Sequence, residues 1–207
     1  MARALVALDD IEVSSGYCEL RDFCSWEIGS PCQAYTAPGS FADWNVRNGS
    51  EIGLPDHTTK NLTGRYLYLD TTAVDSHHPV SRVFMRSRPP TEATCVTFWF
   101  SGRGFVGKLN VYRFTKETAL RDPLVSVPTP IKAGEWIARR VPISSRNRWN
   151  LVFEGVATAG VKIKSGIMID DVEFTDGECP PYEHCTFEEE CLPWVIKENG
   201  KSRRFSL

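Results

Sequence analysis

The chain has 207 residues, of which 42% are hydrophobic and 24% charged, and it carries a formal net charge of −2. That length and apolar content suit one ordinary domain of about 100–200 residues with flanking segments, and the slightly acidic balance argues against a nucleic-acid module, which would carry a basic excess. No apolar run approaches the roughly 20 residues of a membrane span, and the opening M-A-R-A-L-V-A-L-D-D lacks the apolar core of a secretory signal.

The first feature met along the chain occurs twice. Residues 6–18 read V-A-L-D-D-I-E-V-S-S-G-Y-C and residues 167–179 read I-M-I-D-D-V-E-F-T-D-G-E-C, a shift of 161 residues. The same shift carries Cys24-Ser25-Trp26-Glu27 onto Cys185-Thr186-Phe187-Glu188. A period this long marks tandem domains, not the roughly 20–50-residue units of a solenoid. The expected organisation is the tail of one repeat at 1–18, a complete repeat at 24–179 and the start of a third at 185–207. The sequence thus reads as a piece of a longer array, so the missing signal and span say nothing against a secreted or membrane-anchored parent. The joins are short: Cys18 to Cys24 and Cys179 to Cys185 each cover six residues, the second containing Pro180-Pro181, which predicts a semi-rigid rod.

Seven cysteines fall into the same scheme. Cys18 closes a repeat whose partner cysteine lies upstream. Cys24 pairs with its near neighbour Cys32, as Cys185 does with Cys191 in the next repeat, and Cys95 is left to bridge the domain body to Cys179. Zinc is the competing reading, but no C-x-x-C knuckle or histidine cluster stands at ligand spacing. Disulfides imply an oxidising compartment. The sequons Asn48-Gly49-Ser50 and Asn61-Leu62-Thr63 agree, making Asn48 and Asn61 candidate glycan acceptors.

Between Ala34 and Thr63 the sequence reads as a long irregular stretch, with Phe41, Trp44 and Leu54 as residues able to pin it to a core. Beyond it come short alternating runs: 66–69, 80–85, 95–100, 108–114, 136–143, 149–153, 161–163 and 167–174. Each has the β-branched and aromatic content of a half-buried strand, and eight such runs with Gly/Pro punctuation predict an all-β sandwich. Gly102-Arg103-Gly104-Phe105-Val106-Gly107 satisfies G-x-G-x-x-G, but K-L-N-V-Y-R-F follows with strand alternation instead of a helix, so a hairpin turn is expected in place of a dinucleotide site. His57, His77, His78 and His184 fit no H-E-x-x-H, and no G-x-S-x-G occurs. Trp26, Trp44, Trp99, Trp136 and Trp149 suggest a saccharide platform or core packing; their alternating apolar settings favour the core.

Taken together, Cys24-Ser25-Trp26-Glu27, Phe41-Ala42-Asp43-Trp44, Pro55-Asp56-His57-Thr58, Gly64-Arg65-Tyr66-Leu67, Cys95 leading into Phe98-Trp99-Phe100, Gly107-Lys108-Leu109-Asn110-Val111, the Phe153-Glu154-Gly155 turn and Gly166 to Val172 resemble, in order, the MAM domain of meprin-type ectodomains, neuropilin-type receptors and receptor tyrosine phosphatases. The resemblance implies a jelly-roll-like β-sandwich of two antiparallel sheets, stapled by disulfides and placed outside the cell. Some MAM domains carry a cation, and the residues here that match are Glu27, Asp56 and one of the Asp170/Asp171 pair, with Asp171 the expected ligand. Such hard oxygen donors suit Ca²⁺. The alternative is that these carboxylates accept backbone or Arg hydrogen bonds and pin strand ends. Adjacent strand residues point to opposite faces, so Asp170 and Asp171 cannot both turn to one core unless the strand bends.

The function expected from these residues is non-catalytic, extracellular recognition of a protein partner, homophilic or heterophilic, in adhesion. The alternatives are spacer repeats of a ligand-binding or endocytic receptor, or an accessory ectodomain of a membrane protease or phosphatase.

Overall fold

The computed structural model describes residues 22–72, 79–104, 107–118, 120–128, 132–158 and 165–180, with the backbone of 195–198 and 201–204. Two antiparallel sheets face each other across one core. The first contains β1 (Phe23–Cys24), β3 (Trp44–Asn48), β4 (Arg65–Asp70), β6 (Thr91–Arg103), β9 (Ile137–Ser145) and β11 (Gly166–Asp176), ordered β3-β4-β11-β6-β9 with β1 also on β11. The second contains β2 (Ala34–Thr36), β5 (Val80–Met85), β7 (Gly107–Phe114), β8 (Val125–Pro128) and β10 (Asn150–Ala157), ordered β2-β5-β10-β7-β8. A short pair, β12 (Val195–Glu198) with β13 (Lys201–Arg204), lies near the end of the chain.

Alternation explains the core. Val96, Phe98 and Phe100 of β6 and Leu151 and Phe153 of β10 are fully buried and face each other between the sheets. Phe98 meets Phe153 edge to face at 5.0 Å between centroids, the geometry aromatic quadrupoles prefer. Truncating either ring to Ala would cost about 3–5 kcal/mol. Pro142 sits on β9, an edge strand where a missing N–H is tolerated.

Two local expectations change. The glycine-rich 102–107 stretch is not a hairpin turn: β6 ends at Arg103 in the first sheet and β7 starts at Gly107 in the second, so the segment crosses between sheets. Strand alternation on each side reads the same in either case, because sheet membership is set by distant partners. The 34–63 stretch is not irregular either. It holds β2, β3 and the single-turn helix α1 (Gly49–Ile52), whose capping box pairs the Asn48 side chain with Glu51.

Residues 49–64 then form a pad on the outer face of the six-stranded sheet. Ile52 and Leu54, with Trp136, pack on Tyr66, Tyr68 and Met168. The Tyr66 hydroxyl donates to Leu54 O at 3.2 Å and Trp136 Nε1 to Pro55 O at 3.1 Å. Phe41 and Trp44 anchor the preceding part to the core, as expected from the sequence.

Candidate functional site

The pad is fastened to the sheet at the Asp170–Asp171 pair. Register places Asp170 opposite Trp99 and Glu173 opposite Thr97, so Asp171 and Val172 together face one residue of β6. That is a β-bulge, and Asp171 accommodates it with φ 44°, in the left-handed region that Asp tolerates better than most residues. The bulge breaks alternation, and both carboxylates turn to residues 57–58. Asp170 Oδ2 accepts the amides of His57 at 2.9 Å and Thr58 at 3.4 Å, and Oδ1 accepts the Asp171 amide at 2.9 Å. Asp171 Oδ2 lies 2.5 Å from His57 Nδ1, and Oδ1 accepts the Thr58 hydroxyl at 2.6 Å.

Asp170 is fully buried. Desolvation, followed by the neighbouring Asp171 charge, pushes its carboxyl up to about 8, against the opposing pull of the three amides. His57 is held in turn by stacking on Trp99 at 3.8 Å between centroids and an edge contact to Trp136 at 6.0 Å. A His–carboxylate pair resembles half of a catalytic triad, but this ring is clamped between two indoles and acts as a fastener.

The other predicted carboxylates are employed in the same way. Asp56, also fully buried, accepts the Thr59 amide and hydroxyl at 2.6 and 2.7 Å and the Asn61 amide at 3.2 Å. It fits only because residue 64 is glycine: a Cβ there would stand 2.1 Å from the Asp56 Cγ. Glu27 accepts the Arg65 amide at 2.6 Å and so fixes the start of β4. Among the described residues no group of three or more His, Cys, Asp and Glu side chains is gathered where it could hold an ion. Glu27, Asp56 and Asp171 each accept hydrogen bonds from protein donors.

Cys24 is bonded to Cys32 and Cys95 to Cys179, the pairings read from the repeat; Cys18, Cys185 and Cys191 lie outside the described residues. Asn61 is exposed, its Oδ1 accepting the Thr63 amide and hydroxyl at 2.7 and 2.6 Å. Asn48 Oδ1 caps α1 through the Glu51 amide at 3.0 Å. Of the five tryptophans weighed as a platform, Trp26, Trp44 and Trp149 are buried and Trp99 lies under His57.

Glu154 entered the sequence reading only as part of a Phe153-Glu154-Gly155 turn, but these residues lie inside β10, paired with β5 and β7. Glu154 is a 3% exposed carboxylate on the outer face of the second sheet, bonded to Arg82, Asn110 and Tyr112.

Comparison with known proteins decides the family. A model described as "MAM domain, meprin/A5/mu" matches residues 24–180. The chain belongs to the MAM family. This MAM domain is similar to thyroid hormone-induced protein B of Xenopus laevis, 29% identical over 84% of the chain and 27% of that protein. It is similar to human MAM domain-containing protein 2, 28% identical over 88% of the chain and 28% of the relative, and to human meprin A subunit beta, 23% identical over 85% and 26%. The chain thus spans about a quarter of the length of these relatives. Among solved structures, the K2 cleaved adhesin domain of Lys-gingipain superposes with a TM-score of 0.53 at 14% identity, covering 74% of this chain and 98% of that one. That likeness shows the β-sandwich fold alone. Family and disulfides together place the domain outside the cell.

Proposed function

We propose that this MAM domain is a non-catalytic recognition module of a tandem-repeat extracellular protein, making protein–protein contacts in adhesion. One observation carries the reading: the groups that chemistry would need are engaged in structure, Asp56 inside the surface pad and His57, Asp170 and Asp171 in fastening that pad to a sheet. An acid–base site needs a group poised toward a substrate; these face backbone amides and each other. A relative named as a glycosylphosphatidylinositol anchor protein supports a place at the cell surface, where such contacts are made. Asn48 and Asn61 serve as glycan acceptors on the same outer surface, and the segments 1–18 and 185–207 belong to neighbouring repeats.

The test is sedimentation velocity on the 207-residue chain from a secretory host, with Cys18→Ser to leave an even number of cysteines. A sedimentation coefficient that rises with concentration supports homophilic adhesion. A monomer at all concentrations that captures no cell-surface protein either would leave the spacer reading in its place. Loss of mobility shift on treatment with peptide N-glycosidase in Ser50→Ala or Thr63→Ala variants reads the two glycan sites separately.

A further inference from the structure

The outer face of the second sheet carries a polar cluster that the fastening of the pad does not use. Register sets Arg82 of β5, Glu154 of β10, Asn110 of β7 and Ser126 of β8 directly opposite one another across four strands. They form one hydrogen-bonded row. Arg82 Nε donates to Glu154 Oε2 at 2.5 Å, Asn110 Nδ2 to Glu154 Oε1 at 2.8 Å, and the Ser126 hydroxyl to Asn110 Oδ1 at 2.7 Å. Tyr112, on the same face, donates its hydroxyl to Glu154 Oε1 at 2.9 Å. A desolvated carboxylate is costly unless every partner is in place, and apolar residues of similar volume would stabilise the sheet as well or better. The row therefore calls for a use beyond folding.

The adjoining row on this face is aromatic. Tyr35 of β2 stands opposite Phe84 of β5, and the rings stack at 5.3 Å with 15° between planes. Phe114 meets Phe84 edge-on at 5.3 Å. Tyr35 is nonetheless 57% exposed, so the stack presents an aromatic surface to solvent. Val152 stands between Phe84 and Tyr112 in register and joins the aromatic row to the polar one.

Charge selects the ligand class. Arg82 has a side chain 40% exposed, and only its Nε edge points to Glu154, whose side chain is 4% exposed. The guanidinium's remaining N–H donors form a planar fork, but its charge is already balanced by Glu154, so an anion gains little from it. A ligand with a C–H face and a rim of vicinal hydroxyls suits the neighbouring strands β2 and β5: the face lies on Tyr35 and the hydroxyls meet the Arg82 fork. We propose that the outer face of this sheet binds a neutral saccharide at β2 and β5, with Tyr35 as stacking platform, Arg82 as hydroxyl partner, and Glu154 as the residue that positions Arg82. This goes beyond the protein-recognition reading and does not depend on it.

The experiment titrates the full Cys18→Ser chain, enzymatically deglycosylated, with N-acetyllactosamine and mannotriose as neutral probes and a heparin tetrasaccharide as the anionic one. Binding is followed by NMR at the Arg82 Nε–H and the amides of β2 and β5. The expected result is a neutral probe that shifts these signals, an affinity lowered about tenfold by Tyr35→Ala, and a similar loss with Arg82→Lys, which keeps charge but not the fork. Leu62→Ala, at an exposed site on the pad over the other sheet, should leave the affinity unchanged. Tyr35 lies on an edge strand and is exposed, so its variant should retain the wild-type melting temperature; Tyr35→Leu, which keeps apolar contact with Phe84 but has no ring, provides a second variant if it does not. The proposal is overturned if no neutral probe shifts these signals up to roughly 10 mM, if only heparin binds, or if binding survives both Tyr35→Ala and Arg82→Lys.

Discussion

His57 Nδ1 lies 2.5 Å from the carboxylate of Asp171, a residue 114 positions further along the chain, while the imidazole lies flat on Trp99. This contact joins the 49–64 pad to the middle of the six-stranded sheet. Removing the ring would forfeit a stacking contact and leave a carboxylate with 11% side-chain exposure short of its partner. His57→Ala should therefore lower unfolding free energy by about 2–4 kcal/mol. Urea unfolding monitored by tryptophan fluorescence checks this; a loss under about 0.5 kcal/mol, the scale of an ordinary surface substitution, would remove the fastening role.

Asp170 sets a pH dependence whose sign is fixed by its surroundings. Burial and the Asp171 charge raise its carboxyl from 3.8 to about 8. Between those values the folded chain holds a proton that the unfolded chain has released, so the slope of stability against pH is negative there. The contribution is fully present below about pH 4 and is lost as pH rises toward 8. Facing this group are His57, Thr58 and Asp171. The test is the difference in stability between wild type and Asp170→Asn from pH 4 to 9: the wild type should lose its relative advantage with rising pH. A difference that is flat or rises with pH would mean that the three amide donors outweigh desolvation.

How much of this was legible beforehand varied with the range of the signal. The long strands β4 to β7 and β9 to β11 were visible because each holds a run rich in β-branched, aliphatic and aromatic residues, alternating in some and continuous in β4, β10 and β11. β2 spans three residues, too few for a period to show, and β3 is W-N-V-R-N, with Trp44 its only buried member. The Asn48–Glu51 capping box was present in N-G-S-E but is a short motif that tertiary context must confirm. Both mapped disulfides were readable because the repeat assigns Cys18, Cys185 and Cys191 to the flanking segments, leaving Cys24 with its near neighbour Cys32 and Cys95 with Cys179. The Asp-Asp pair was legible as a violation of strand alternation, yet its partners at 57–58 are more than a hundred residues away and only the folded topology brings them near. Glu154 was invisible as a site because its three partners sit on strands whose pairing the sequence does not state.

The two mapped disulfides should differ in weight. Cys95–Cys179 closes 84 residues and Cys24–Cys32 closes 8. On the chain-entropy model the first stabilises by roughly 4.5 kcal/mol and the second by about 2.5 kcal/mol. Paired alanine substitutions, Cys95→Ala with Cys179→Ala and Cys24→Ala with Cys32→Ala, compared by denaturant midpoint should preserve this order. A reversed order would mean that fixing the Trp26–Glu27 loop, and with it the Glu27 bond to the Arg65 amide, matters more than shrinking the unfolded chain.

Calcium provides the remaining discrimination. Glu27, Asp56 and Asp171 each accept protein hydrogen bonds, and Asp56 is enclosed against Gly64. An ion bound to the native state at a hundredfold excess over its Kd would add about 2.7 kcal/mol, which for a domain of this size corresponds to roughly 5–10 °C in melting temperature. The expected outcome is a melting temperature that moves by less than about 1 °C between excess calcium and excess chelator. A rise of several degrees in calcium that disappears in Glu27→Gln would instead make these carboxylates ligands, because a Gln oxygen can still accept the Arg65 amide but supplies no charge to a cation. The same variant thus separates the two uses of Glu27: a hydrogen-bond acceptor at the start of β4 tolerates the change, and a metal ligand does not.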